Sequence, residues 1–414
     1  MSKCNILFYT YGKVHSTKGG TERTTISVAN GLTQNYGCRC FSLFEIPADT
    51  KQESCFIAEY QWTTSSDRTQ NKQFVRDIVI ENQIDYIIDQ GAFIHVKLFK
   101  EAVDGLSCKV ILAHHFEPGI ETKFFTFKRL LFRFSQIVST RDLYKWILHL
   151  ILYPYLRVKY TNSLSRSYFE AYQYADRVVL LSQSFIRQYQ GFGRFKNEKN
   201  FSVIHNALSF NEYLPIGDVK KKKPVILIVS RFDEELKRLL LALRIWQEIK
   251  LSPIANDWCL KIVGHGKDLK LYQKYIAKKK IHDVYLLGRQ DPKPYYKEAS
   301  IFFMTSISES WGLTLTEAQQ FGVVPVAFNT YASLTDIVTD EEDGVVIREG
   351  EIEQYVNSTL ELIRDTQKRQ AMAIQGIHNC QRFSQDKIAK DWWHLLNNFC
   401  LLYTSDAADE ARSV

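Results

Sequence analysis

Two carboxylates, Glu309 and Glu317, flank the turn Ser310-Trp311-Gly312 inside the stretch Ile301 to Phe328. A carboxylate accepts hydrogen bonds strongly, so such a pair suits a ligand with hydroxyl groups at both ends. Between them, Gly312, Leu313 and Thr314 open a helical pattern. A helix start offers unpaired N–H groups to an anion such as a diphosphate. The combined chemistry suits a phosphorylated ligand carrying hydroxyls on both sides, as in a nucleotide-sugar. The competing reading has Glu309 capping a helix and Glu317 in solvent.

The elements that position this pair read as one βαβ unit. Ile301 to Met304 is a short apolar run, as expected of a buried parallel strand. Thr305 to Trp311 is polar loop, and Leu313 to Phe321 has helical spacing. Gly322 fits the position just past a helix end, and Val323 to Phe328 forms the next strand. The short crossover makes the two strands parallel. Ligands of open α/β sheets bind at the carboxyl ends of the strands, where the loop carries Glu309.

Other reactive types occur at strand ends. KVILA (Lys109 to Ala113) runs into His114 and His115, which either reach a ligand or are hydrogen-bonded structural residues. NILFY (Asn5 to Tyr9) leads through a polar loop to Gly19, Gly20 and Thr21. There Thr21 and Thr24 are expected to cap a helix running to Gln34. Pro224 to Ser230 is a strand followed by Arg231, with Lys237 entering a helix to Gln247. Val284 to Leu287 ends at Gly288 and Arg289. The eight cysteines form no C-x-x-C pair and no Cys/His cluster with zinc spacing. Metal-ligand patterns are thus missing, and reduced thiols are expected.

At 414 residues, two domains are expected. The hydrophobic share of 45% and charged share of 24% suit globular domains. The net charge of +7 fits anionic ligands or an anionic membrane surface. No apolar run approaches the roughly 18 residues of a spanning helix, and no signal-peptide core opens the chain. Strands and helices alternate throughout, as parallel, helix-covered sheets require. Leu208 to Lys223 lacks periodicity and is the candidate linker. Residues 120–174 depart from the pattern: Lys and Arg interleave with Phe, Trp, Tyr and Leu, as in an interfacial helix or an inserted hairpin. Between residues 120 and 170 there are nine Lys/Arg and three Asp/Glu. The expected domains are residues 1–207 with 384–402, and residues 208–383. Residues 404–414 (TSDAADEARSV) are small and polar, and 403–414 are expected to form a disordered tail.

Assembled, these segments resemble the retaining glycosyltransferases of family 4, which have the GT-B fold of two Rossmann-like domains facing each other across a cleft. GGTERTTISVANGL resembles the family's first helix and glycine loop, VSRFDEELKR its diphosphate-gripping segment, and SISESWGLTLTEA its E-x7-E motif. The resemblance implies that Arg231 and Lys237 hold the donor diphosphate, Glu309 the donor sugar and Glu317 the ribose. It further implies that the Ser310–Thr314 backbone holds the distal phosphate, Gly288 and Arg289 meet the base, His114 or His115 contacts the sugar, and Gly20 lies near the diphosphate. Ser310-Trp311 departs from the common Gly-Phe, which conserves the turn and an aromatic ring.

The implied activity moves a hexose or N-acetylhexosamine from a nucleotide-sugar, UDP-linked by default, to a cell-surface glycan or lipid-linked saccharide. No cofactor or metal is expected, since two cations can neutralise the leaving diphosphate. Association with the inner face of the cell membrane, in the cytoplasm, and no nucleic-acid partner are expected. The alternatives are an epimerase or hydrolase on the same fold, and a non-catalytic membrane- or carbohydrate-binding scaffold. The aromatic-basic stretch disfavours the former, and Glu309 and Glu317 with Arg231 and Lys237 disfavour the latter.

Overall fold

The computed structural model describes residues 4–15, 19–48, 54–63, 67–91, 93–124, 140–197 and 200–410. The chain forms two compact units, Met1–Ile204 with Asp391–Val414, and His205–Lys390.

The first unit carries a seven-stranded sheet in the order β3-β2-β1-β4-β5-β6-β7. Its strands are β1 Asn5–Gly12, β2 Arg39–Ile46, β3 Glu59–Gln61, β4 Tyr86–Asp89, β5 Lys109–His114, β6 Arg177–Leu180 and β7 Phe201–Val203. Every pairing is parallel. Ile6 to Tyr9, Ile87, Ile88 and Val110 to Leu112 are buried without alternation, which is how a sheet covered on both faces must read. Strand order reverses between β1 and β4, making their carboxyl ends a topological switch point. Helix α1, Gly20–Tyr36, follows β1. Gly19 is its N-cap and no side chain caps it, so Thr21 and Thr24 do not play the expected role. The helix begins one residue before Thr21 and needs no oxygen from it. β3 carries no apolar run, and helices α3 (Val96–Ala102) and α6 (Gln183–Gly193) lay outside the sequence reading.

Within the aromatic-basic stretch, α4 spans Ile120–Phe124 and α5 spans Thr140–Tyr174. Residues 125–139, with Lys128, Arg129 and Arg133, lie outside the described residues. The C-terminal turns of α5 bury Ser165, Tyr168, Ala171 and Tyr172. Its N-terminal part leaves Tyr144, Ile147, Ile151, Tyr155 and Val158 exposed. No helix among the described residues is long and apolar enough to cross a membrane.

The second unit carries a six-stranded sheet in the order β10-β9-β8-β11-β12-β13. Its strands are β8 Val225–Val229, β9 Cys259–Val263, β10 Val284–Gly288, β11 Ile301–Met304, β12 Val324–Asn329 and β13 Val345–Arg348. The pairings between these strands are also parallel. Here the switch point lies between β8 and β11. Gly322 takes the left-handed conformation (φ 62°) after the helix between β11 and β12, as its position predicts.

The segment read as a linker, Leu208 to Lys223, is a packed part of this unit. Leu208 N–H donates to Phe383 O (2.8 Å) and Leu214 N–H to Gln320 O (3.1 Å). The buried Gln320 amide donates to Phe210 O and Glu212 O. Leu208, Leu214 and Val219 are buried. The segment lacks periodicity because backbone carbonyls and side-chain amides of other elements satisfy its backbone.

The last helix, Gln385–Glu410, runs past Leu402, so the backbone of 403–410 is helical rather than disordered. Ala407, Ala408 and Glu410 there are good helix formers. Residues 411–414 lie outside the described residues. From Asp391 onward the helix belongs to the first unit: Trp393 stacks on Tyr36 at 5.0 Å and Tyr86 Oη donates to Leu396 O at 2.8 Å. Trp392 is buried. Trp392→Ala is expected to destabilise the first unit by about 3–5 kcal/mol, read as a lower urea midpoint. An unchanged midpoint would contradict this docking.

Candidate functional site

The switch point of the second unit is built from the residues after β8 and β11. β8 ends at Val229, and Ser230 and the exposed Arg231 follow it. The loop after β9 presses on this segment. A β-carbon on Gly264 would stand 1.8 Å from Ser230 O, and one on Gly266 2.4 Å from Phe232 O. Their φ values of 149° and 159° also favour glycine. Phe232 N–H donates to His265 O at 2.8 Å. The backbone around Arg231 is therefore fixed from behind.

The expected helix Lys237 to Gln247 is broken into α7, Glu234–Lys237, and α8, Leu239–Ile249. Arg238 between them is left-handed, with φ 49° and ψ 47°. That conformation costs an L-residue roughly 1–2 kcal/mol, and the side chain offsets it. Its Nε donates to Thr305 O (2.7 Å) and Nη2 to Ser306 O (3.4 Å). Nη1 pairs with Glu349 (3.0 Å), and the guanidinium lies 5.7 Å from the centre of the Phe328 ring.

The loop after β11 is held on several sides. Thr305 Oγ1 donates to Lys237 O (2.9 Å), Thr330 Oγ1 to Ser306 O (2.7 Å) and Ser333 Oγ to Ser310 O (3.0 Å). Trp311 points inward, stacked on His205 at 4.8 Å and edge-on to Phe383 at 5.1 Å. Gly312 takes φ 85°, ψ 55° and starts the helix α11, Leu313–Gln320.

Two residues proposed for chemistry meet here: Lys237 Nζ forms an ion pair with Glu309 Oε1. The two side chains are only 18% and 16% exposed, so the pair is partly shielded from screening by salt. Glu317 is buried rather than solvated, at 1% exposure. Ser209 Oγ donates to its Oε1 (2.6 Å) and Tyr296 Oη to its Oε2 (2.9 Å). Gly288 ends β10 with φ 72°, and Arg289 follows, exposed. Arg231, Lys237, Glu309, Ser310, Trp311, Gly312, Leu313 and Thr314 thus gather around the ends of β8 and β11 in one unit.

Gly20, His114 and His115 belong to the first unit. Gly20 opens α1. His114 ends β5, buried among Phe93, Phe116, Tyr168 and Tyr189 at ring separations of 5.8, 6.3, 5.4 and 5.5 Å. Its Nε2 lies 3.4 Å from Tyr168 Oη. Tyr168 Oη also donates to Glu121 (3.1 Å) and accepts from Gly119 N–H (3.0 Å). Burial, then the neighbouring His115, push the His114 pKa down to about 3. Burial raises the Glu121 carboxyl. His115 is buried as well. Among the described residues no group of three or more His, Cys, Asp and Glu side chains could hold a metal ion.

Sequence reasoning missed Arg238, Ser209 and Tyr296. Arg238 sits next to Lys237 in a run of good helix formers, which conceals the break. Ser209 and Tyr296 are far from Glu317 in sequence and carry no local signal.

Residues 209–378 match the family described as glycosyl transferases group 1. The chain is 25% identical over 391 residues to an uncharacterized glycosyltransferase of Haemophilus influenzae, covering 91% of this chain and 96% of that one. It is 25% identical over 233 residues to the amylovoran biosynthesis glycosyltransferase AmsD of Erwinia amylovora, covering 55% and 63%. The fold is that of GT-B glycosyltransferases. The crystal structure of Anabaena HepE in complex with UDP and glucose matches with TM-score 0.71 at 17% identity, over 95% of this chain and 100% of that one.

The neutral His114 has a consequence for stability. Unfolded, its imidazole protonates near the ordinary value of 6.5; folded, only near about 3. Between these values the unfolded state binds more protons. Stability therefore falls by about 1.4 kcal/mol per pH unit as pH drops through that window. His114→Gln is expected to flatten the pH dependence of the unfolding midpoint there. Parallel pH profiles for wild type and variant would contradict a buried neutral imidazole.

Proposed function

We propose that the protein is a retaining, metal-independent glycosyltransferase of family 4. It transfers a hexose or N-acetylhexosamine from a UDP-sugar to a growing cell-surface glycan or lipid-linked saccharide. The observation that carries this reading is the Lys237–Glu309 pair beside the Gly312 helix start, with Arg231 at the neighbouring strand end. Cleaving the C1–O bond of a sugar diphosphate builds negative charge on the leaving group. Arg231, Lys237 and the N–H groups of Gly312, Leu313 and Thr314 are the donors that stabilise it. With two cations in that role, no metal is required.

Glu309, oriented by Lys237, accepts from the donor-sugar hydroxyls, and Glu317, oriented by Ser209 and Tyr296, accepts from the ribose. Gly288 and Arg289 meet the base. Gly20 lies by the diphosphate, and His114 or His115 meets the sugar. A carboxylate paired with lysine is a weakened nucleophile, which favours front-face displacement. In that step the acceptor oxygen bonds to C1, the C1–O bond to phosphate breaks, and the leaving phosphate takes the acceptor proton. The likeness to HepE, solved with UDP and glucose, and to AmsD of amylovoran biosynthesis supports the donor and product classes.

With a panel of nucleotide-sugars and lipid-linked acceptors, nucleotide release should depend on acceptor and persist in excess EDTA. Arg231→Ala and Lys237→Ala should each cost about 2–4 kcal/mol in kcat/KM. Wild-type turnover in both variants, or full loss on chelation restored by Mg²⁺, would contradict the assignment.

The acceptor side is proposed to meet the inner face of the cell membrane through α5. Its exposed Tyr144, Ile147, Ile151 and Tyr155 suit headgroup depth, and Lys145, Arg157 and Lys159 suit anionic lipid. Each such cation contributes about 1 kcal/mol near an anionic surface. Flotation with anionic vesicles is expected to recover the protein at low salt and to fail at high salt. It should also fail once these three cations are Ser. Recovery in the soluble fraction throughout would contradict the membrane assignment.

A further inference from the structure

The second unit has a small cavity at the amino ends of its strands, on the sheet edge opposite Lys237 and Glu309. Lys222, Ser300 and Gly322 line it and stand just before β8, β11 and β12. Its volume is about 70 Å³, and its polar lining is Lys220, Lys222, Ser300, Thr366, Arg369 and Gln370. Three of these side chains are cations. No Asp or Glu is among the described residues that line the cavity.

The two inner cations lack a carboxylate partner. Lys222 is only partly exposed, and its Nζ donates to Tyr296 O at 2.6 Å. Glu298, the acid that faces it, is already paired with Lys223 (2.9 Å) and Lys261. Arg369 lies in the first turn of the helix Thr366–Asn379. Its Nη1 donates to Leu362 O and Ile363 O, and Nη2 to Thr366 Oγ1 (3.2 Å). Asp365, the acid nearest Arg369 in sequence, accepts from Lys368 N–H at 2.8 Å as the helix cap. Neither Lys222 nor Arg369 forms an ion pair among the described residues. Lys220 is exposed at the rim.

Burial without a counter-ion favours the neutral form of a cation. It pushes the Lys222 ammonium down to about 7 and lowers Arg369 as well. An anion in the cavity supplies the missing charge. One water needs roughly 10–15 Å³, so the four oxygens of a tetrahedral anion fit and a nucleotide does not. Thr366 Oγ1 accepts from Arg369 and keeps its own proton to donate, and the Gln370 amide adds N–H groups. Ser300 Oγ donates to Lys223 O (2.6 Å) and adds no donor.

We propose that this cavity binds a tetrahedral oxyanion, phosphate or sulfate, with Lys222, Arg369 and Lys220 as its counter-charges. The site is separate from the diphosphate site at Gly312 and does not depend on the transferase reading.

The test is calorimetry on the full chain with sulfate, which does not titrate near neutral pH, and with phosphate as competitor. Bound sulfate holds Lys222 protonated. At pH 8, where the free amine is mostly neutral, wild type should take up about one proton per sulfate, read from two buffers of different ionisation enthalpy. At pH 6 the uptake should vanish and the affinity should be about tenfold higher. Phosphate should displace the sulfate. Lys222→Met should weaken sulfate binding about tenfold or more and abolish the uptake. Lys220→Ser, at the exposed rim, should weaken it about two- to fivefold and serves where Lys222→Met does not fold. Wild type that binds no sulfate, or binds it at pH 8 without proton uptake, overturns the site. Sulfate binding that survives Lys222→Met and is lost in Lys237→Ala also overturns it, because the anion then sits at the start of α11.

Discussion

The Arg238 guanidinium is a charged anchor of the loop on which the candidate site depends. Arg238 sits in the left-handed region and reaches under the loop after β11, donating to Thr305 O and Ser306 O. Its third contact, to Glu349, ties the loop to the end of β13, and Phe328 of β12 lies beneath it. Hydrogen bonds from a charged donor are stronger than neutral ones, and the planar fork reaches two carbonyls at once. Because Lys237 precedes Arg238, the same break in the helix sets the ammonium against Glu309. Lysine at 238 would keep the charge but lose the fork.

The wider constraint is the parallel sheet. Strand order reverses once in each unit, between β1 and β4 and between β8 and β11. Chain emerging from two neighbouring strands diverges there and leaves a crevice lined by loops. In the second unit the close approach of Gly264 and Gly266 to Ser230 and Phe232 fixes one wall of that crevice. Gly312, in the left-handed region, turns the opposite wall into a helix start. Arg231, Lys237 and Glu309 then have defined places without contributing to the core.

Much of this arrangement was legible because it is local. The strand-loop-helix-strand unit from Ile301 to Phe328 follows from apolar runs, Gly312 and Gly322, and the two glutamates have one spacing in it. What escaped depends on partners distant in sequence. Glu317 reads equally as a solvated helix residue, and only the fold brings Ser209 and Tyr296 to its oxygens. The Leu208 to Lys223 segment looks like a linker because its order comes from Gln320 and Phe383, not from its own periodicity. Glycine, not Thr21, caps α1, so a rule based on side-chain oxygens pointed to the wrong residue. The Arg238 break has no signal, since arginine is a good helix former.

The second unit is proposed to bind a nucleoside diphosphate at the start of α11. A crystal structure of the full chain with UDP tests it most directly. The distal phosphate is expected against the N–H groups of Gly312 to Thr314, within reach of Lys237 and Arg231, and the ribose hydroxyls on Glu317. UDP bound with its diphosphate away from Gly312 and Lys237, while the Lys237–Glu309 pair stays intact, would contradict it.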